Sequence, residues 1–379
     1  MTTTESKFIY LDNAASTKID EAVRVGMLPY FSSEYGNPSS SHSFGQQART
    51  VIENARRTLA KELGCEPEEI IFTSGGTEAN NLALVGIAYA QQNKGKHIIT
   101  TQIEHPSIIE AAKYLERTGF SVTYLPVDND GLVSLAMLSA SLRHDTILVS
   151  IMHANNEIGT IQPIDELAAI TKNRGVIFHT DAVQSFKKTP FLLERIDACS
   201  LSAHKIHGPK GVGALFVQKK THIQPLLLGG EQEHAYRAGT ENGAAIVGFG
   251  LAAQQPIDIV TMEKQRDVLI NSLLNIPGTK LNGHPKKRLP NSCNISFKGI
   301  EAETLLEHLS DHGIMASIGS ACKAHELVPS YVLKAIGLSD EQALGTIRLS
   351  LSKYTTDAEI EYTAKTITTI VASLRALTR

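Results

Sequence analysis

Three segments of the chain end strand-like apolar runs on groups that can do chemistry. The last of them, Ser200-Leu201-Ser202-Ala203-His204-Lys205-Ile206-His207-Gly208, ends on a lysine. A buried lysine is costly unless its charge is lost or paired, and in a ligand crevice the neutral amine forms a Schiff base with a carbonyl compound. Upstream, Val176-Ile177-Phe178-His179-Thr180-Asp181-Ala182-Val183-Gln184 ends on a carboxylate. Asp181 there faces either a ligand at the strand's carboxyl end or the amides of the next turn, as a helix N-cap. Further upstream, Phe72-Thr73-Ser74-Gly75-Gly76-Thr77-Glu78 runs through two glycines into a helix. Such a turn either caps tightly or lets backbone amides and the helix dipole hold a phosphate. It is not a Walker A loop, because G-x-x-x-x-G-K-[ST] is absent.

Taken singly, each segment has a plain structural reading: a surface lysine, an N-cap, a tight turn. In order, they supply an anion cradle, then an acid, then a lysine 24 positions beyond the acid. That set meets the needs of pyridoxal phosphate: phosphate binding, a partner for the pyridinium nitrogen, and an imine-forming amine. A nicotinamide or nucleotide would not require the lysine. His308 and His312 stand four apart on an expected helix, but with no H-E-x-x-H glutamate and no third ligand they read as a polar helix face, and no metal is expected.

Positioning these groups requires a particular scaffold. Strand-like runs at Glu69–Thr73, His97–Thr101, Ser121–Val127, Thr146–His153, Val176–Thr180, Ala198–Ser202 and Val212–Val217 alternate with amphipathic stretches at Gln46–Leu63, Glu78–Gln91, Pro106–Arg117 and Ile164–Asn173. The alternation predicts an α/β fold, a mostly parallel sheet flanked by helices, with ligands at the carboxyl ends of its strands. After Gly243 the pattern changes. A long helical stretch to Asn275 is followed by short strands Asn291–Phe297, Met315–Ser317 and Ile347–Ser350, alternating with helices Glu301–His312, Ser330–Ile336 and Asp357–Leu377. This predicts a smaller α+β C-terminal domain. The expected division is 16–255 for the large domain and 256–379, with 1–15, for the small one. The loop Pro285–Pro290, with three adjacent basic residues, is expected to be a solvated turn.

Composition narrows the function classes. The 379 residues are 42% hydrophobic, roughly 49% with glycine, inside the globular range. A formal charge of −3 gives no field to hold nucleic acid or an anionic membrane. The apolar runs Leu82–Ala90 and Ala244–Ala253 fall short of a span of about 20 residues, so a cytoplasmic, soluble protein is expected. Cys65, Cys199, Cys293 and Cys322 form no C-x-x-C pair, which reads as four reduced thiols.

At these residues the chain resembles the pyridoxal-phosphate-dependent cysteine desulfurases of the class V aminotransferase group, in their long-loop branch. The likeness runs from Tyr10-Leu11-Asp12-Asn13-Ala14-Ala15 through Gly36-Asn37-Pro38-Ser39-Ser40, Glu104-His105, Met152-His153-Ala154-Asn155-Asn156-Glu157-Ile158-Gly159 and the three segments above. It continues in Arg237-Ala238-Gly239-Thr240 and Gly319-Ser320-Ala321-Cys322 to Ile347-Arg348-Leu349-Ser350. The resemblance implies a fold-type I transferase and a homodimer with a shared site. By it, Lys205 forms the imine, Asp181 pairs the pyridinium nitrogen, Gln184 bonds the ring hydroxyl, and His105 stacks on the ring and shuttles a proton. Gly76, Thr77, Ser202 and His204 hold the phosphate, joined by Thr240 of a partner subunit. Asn156 binds near the ring, Arg348 holds the carboxylate of L-cysteine, and Cys322 is the nucleophile that becomes a persulfide.

Small residues precede Cys322. A thiol of ordinary pKa, about 8.5, is only a few per cent thiolate at neutral pH, and Lys323 or His325 is placed to raise that fraction. The segment departs from the branch in reading Ser317-Ile318-Gly319-Ser320-Ala321-Cys322-Lys323-Ala324-His325, and the chain ends at Leu377-Thr378-Arg379 without a long tail. Both leave the sulfur-acceptor protein open between iron–sulfur cluster assembly and tRNA or DNA thiolation. The competing readings are a selenocysteine lyase or other class V enzyme in which Cys322 is a bystander, and a non-catalytic scaffold.

Overall fold

The computed structural model describes residues 8–319 and 328–377, so Cys322 and its immediate neighbours lie outside the described residues. Its strands are β1 (Ile9–Tyr10), β2 (Ile70–Thr73), β3 (His97–Thr101), β4 (Ser121–Leu125), β5 (Thr146–Ser150), β6 (Ile177–Asp181), β7 (Ala198–Ser202), β8 (Gly213–Val217), β9 (Thr279–Leu281), β10 (Ser292–Phe297), β11 (Ile314–Met315) and β12 (Thr346–Ser350). The main sheet has the order β2-β8-β7-β6-β5-β3-β4. Strands β3 to β7 pair in parallel, and β8 runs antiparallel to both of its neighbours. Strands β5, β7 and β8 are buried at every residue, as a sheet covered on both faces demands.

Alternation along the strands divides the core between the two faces. Ile99, Val149, Phe178, Leu201 and Phe216 join the core shared with Leu59 and Phe249 of the helices Ser43–Leu63 and Gly243–Gln254. Ile98, Leu148 and Leu215 face the other way, toward Leu84 and the helix Pro106–Arg117. A separate cluster gathers Leu11, Leu269, Ile295, Leu305, Leu349 and Ile367. There β10 lies between β9 and β12, antiparallel to both, and β1 pairs in parallel with β11. The N-terminal residues therefore pack with the C-terminal elements.

Three sequence expectations need correction. The stretch Gly243–Asn275 is two helices, Gly243–Gln254 and Ile259–Leu274, bent by 82°, because Pro256 has no N–H and disfavours helix in the residue before it. Among the described residues no single helix is long and apolar enough to cross a membrane. The expected helix Glu78–Gln91 is Gly76–Asn81 and Ile87–Gln91 joined by a π-helical turn, Leu82–Gly86. At Gly86 a Cβ would lie 2.7 Å from the Gln224 carbonyl oxygen, so that chain passes only because the side chain is missing. The Pro285–Pro290 loop is not simply solvated. Arg288 is 1% exposed, and its guanidinium donates to backbone carbonyls.

Candidate active site

Apart from Thr240, and from Cys322, which lies outside the described residues, the expected site residues gather about the carboxyl edge of the parallel strands. Strand β7 ends at Ser202 and enters a single 3-10 turn, Ala203–Lys205, that turns the lysine back over the edge. Lys205 Nζ donates to the carbonyls of Ala14 and Ala15, 2.7 Å each. Burial pulls its pKa down to about 8, and the charge of Arg348 adds to this while Asp12 and Asp181 oppose it. Gln184 Nε2 donates to the same Ala14 carbonyl at 2.8 Å. The segment Asp12–Ala15 is thus one wall of the site.

Asp181, at the end of β6, caps the turn that follows the strand, one of the two roles that the sequence left open. Its Oδ1 accepts from Val183 N at 2.9 Å, closing the turn, and its Oδ2 accepts from Asn80 Nδ2 at 2.7 Å. Asn80 also contacts Ser107 Oγ, which lies 2.8 Å from His105 Nδ1. Asn80 and Ser107 were missed in the sequence. The signal for Asn80 was its place one helical turn after Gly76, on the side that faces the acid. His105 caps the helix Pro106–Arg117 by accepting from Ser107 N, and burial lowers its pKa.

The glycine turn is shaped for close approach. A Cβ on Gly76 would lie 2.6 Å from Val183 Cγ2 and 3.6 Å from Ser202 Cβ, so the amides at the helix start and the Ser202 hydroxyl share one small space with Thr77 beside them. His204 Nδ1 faces Ser16 Oγ at 3.3 Å, and burial brings its pKa to about 4. Arg348, on β12, closes the far side. Its Nη2 pairs with Asp12 Oδ1 at 2.7 Å, and its Nη1 donates to the carbonyls of Asn156 and Gly319. Asp12, like Asn80 and Ser107, is a positioning group that the sequence did not reveal. Thr240 stands apart, exposed and lining a cavity of about 240 Å³ with Thr73, Ser74 and Arg237 on the outer side of the glycine turn.

Among the described residues, buried polar atoms here without a hydrogen-bond partner include Ser202 Oγ, Gln184 Oε1, Asn80 Oδ1 and Arg348 Nε. Buried groups of this kind are normally satisfied, so the pocket fits a ligand carrying an anion, a ring hydroxyl and a carboxylate. Amides at a helix start suit the phosphate, the Asp181 carboxylate suits a protonated ring nitrogen, and a lysine with lowered pKa suits an imine. Fold and site together define a fold-type I, pyridoxal-phosphate-dependent enzyme.

The sequence comparisons then give the family. Residues 9–363 match the model of the aminotransferase class-V family. A protein of Dictyoglomus turgidum named cysteine desulfurase IscS is 48% identical over 377 residues, covering 97% of this chain and 96% of its own. One of the same name from Methanosarcina thermophila is 48% identical over 379 residues, 98% and 94% of the two chains. Among solved structures, a NifS-like protein superimposes with a TM-score of 0.91 at 40% identity, covering 97% of this chain and all of its own. The protein SspA, solved in complex with cysteine, gives 0.83 at 36%, covering 92% and 100%. The chain belongs to the class-V aminotransferase family.

Proposed function

We propose that the protein is a cysteine desulfurase, which takes the sulfur of L-cysteine onto an enzyme thiol, releases L-alanine, and passes the sulfur to an acceptor protein. The observation that carries this reading is that Lys205 lies within reach of the charges of both Asp181 and Arg348, with Arg348 Nε buried and without a hydrogen-bond partner. Pyridoxal phosphate, when bound, supplies a carbonyl for imine formation and an electron sink for the substrate α-carbon.

The chain's own groups do the rest. Arg348, held by Asp12, orients the substrate carboxylate with its guanidinium. Asp181, held by Asn80, keeps the ring nitrogen protonated, and Gln184 meets the ring hydroxyl. Gly76, Thr77, Ser202 and His204 hold the phosphate, with Thr240 reaching the site of a partner copy in a homodimer. Lys205, its pKa lowered to about 8 by burial, would remove the α-proton, and His105 would move a proton to or from the substrate thiol. The Cys322 thiolate forms the S–S bond. The C–S bond breaks, and its electron pair stays with the carbon skeleton, which takes up a proton and leaves as alanine.

Residues 16–255 form the cofactor-binding domain in this reading, and 256–379 with 1–15 the smaller one. The separate hydrophobic clusters support that division. The acceptor serves iron–sulfur cluster assembly, or tRNA or DNA thiolation, and the setting is the cytoplasm. The test compares alanine and sulfide release from L-cysteine, with dithiothreitol present, for the wild type and Cys322→Ala. Loss of both in the variant is expected, and undiminished sulfide release would refute the nucleophile.

A further inference from the structure

Four consecutive backbone carbonyls in the turn after β5 are each held by a group from the C-terminal part of the chain. Arg348 Nη1 donates to Asn156 O at 3.0 Å, Asn294 Nδ2 to Glu157 O at 3.2 Å, Arg288 Nη2 to Ile158 O at 3.2 Å, and Leu289 N to Gly159 O at 2.8 Å. The inner side of the turn is held by Asn155 Oδ1, which accepts from the amides of Glu157 and Ile158.

Arg288 is the unusual member. It is 1% exposed and has no ion-pair partner among the described residues. A buried cation normally has a carboxylate beside it. Here carbonyl dipoles take that place: besides Ile158 O, the guanidinium donates to Ser292 O at 3.1 Å through Nε and reaches His284 O at 3.4 Å through Nη1. Only a planar fork with five donors serves several acceptors in different directions at once. The contact leaves no room for a side chain. At Gly159, φ +77, a Cβ would lie 2.7 Å from Ser292 Cβ, and at Gly283, φ +77, it would lie 2.6 Å from Ile158 O.

We propose that Arg288 is a positioning residue for the substrate site: by holding the Ile158 carbonyl it fixes the 156–159 turn, and through the Asn156 carbonyl it fixes Arg348. The proposal deepens the function proposed above and rests on its assignment of Arg348 to the substrate carboxylate. Loosening the turn removes a prop from Arg348 without touching Lys205 or Asp181. The loss therefore falls on carboxylate binding, which acts equally in the ground and transition states, and appears in KM rather than kcat.

The test uses Arg288→Met and Arg288→Lys, with hydrogen exchange measured on the cofactor-free protein and kinetics on the loaded enzyme. In Arg288→Met the amides of 157–159 are expected to exchange about tenfold faster than in wild type, with the central strands unchanged. KM for L-cysteine is expected to rise about tenfold with kcat within about threefold, and Arg288→Lys to fall between the two. Unchanged exchange at 157–159, or an unchanged KM with the turn loosened, overturns the proposal. If Arg288→Met does not fold, Arg288→Lys decides by the same two readouts. Arg348→Ala separates the layers: a KM it leaves unchanged faults the carboxylate assignment, and the anchoring role of Arg288 then stands or falls on exchange alone.

Discussion

Lys205 shows how far a single residue's environment departs from its type. An ordinary lysine is protonated below pH 10, whereas here burial and the charge of Arg348 bring the pKa to about 8. Only the deprotonated amine attacks an aldehyde. The rate at which the apoprotein takes up pyridoxal phosphate should therefore rise with pH through about 8 and level off above it, followed by the growth of the visible imine band. A midpoint near pH 10 would show that the site does not depress this group. Gly76 can be tested as directly. In Gly76→Ala the new methyl meets Val183 Cγ2, a stiff β-branched side chain, and overpacking of this kind costs about 1–3 kcal/mol. Cofactor affinity should fall about tenfold or more, since each 1.4 kcal/mol is a factor of ten, read as the dissociation constant from fluorescence titration. Lys188 marks a limit of the sequence reading. Nothing in Phe186-Lys187-Lys188-Thr189 separates the two lysines, yet Lys188 is buried, donates to Gln184 O at 3.1 Å, and has its pKa lowered to about 7 by desolvation.

Among the elements, legibility followed the strength of the local pattern. The helices Pro106–Arg117 and Asp357–Leu377 and the strands His97–Thr101 and Ala198–Ser202 have the bounds read from the sequence, because caps or turn residues bracket a clear period. The short helices Glu21–Met27 and Leu135–Ser141 and the strand β9 were missed, being too short to establish a period. Where two elements press together, small residues matter more than propensity. At the start of β8 a Cβ on Gly213 would lie 2.6 Å from both Gly75 C and Leu201 O, backbone atoms that cannot swing away. Gly213→Ala should cost at least the roughly 1–3 kcal/mol typical of overpacking, lowering the denaturation midpoint. It should also weaken cofactor binding, because the displaced backbone is the glycine turn. A variant as stable as wild type would show that β8 and the turn have slack.

At the scale of the whole molecule, one long-range dependence runs between Arg56 on the helix Ser43–Leu63 and Glu233 in the loop before Thr240. The pair is bidentate and buried, with contacts of 2.7 and 2.8 Å and side-chain exposures of 3% and 2%, and Glu233 also accepts from Phe72 N. It anchors three successive residues with left-handed backbone, Glu233, His234 and Ala235, none of them glycine. Glu233→Ala leaves the buried Arg56 guanidinium with only the half-exposed Glu53 and the Ile70 carbonyl as partners, and should cost up to about 3–5 kcal/mol, measured by chemical denaturation of the apoprotein. Loss of less than about 1 kcal/mol, the worth of an exposed pair, would mean that Arg56 finds water or another acceptor.

The sequence by itself determined the α/β alternation, the order of glycine turn, acid and lysine, and the family likeness, because these depend on local periodicity and on residue types at fixed spacings. The tertiary structure alone decided which of the adjacent lysines Lys187 and Lys188 is buried, and that Asp12 and Asn80 hold Arg348 and Asp181. It also decided that an arginine in a basic loop is buried against the turn bearing Asn156. Desolvation and hydrogen-bond partners come from segments far apart in the chain, and only folding brings them within reach.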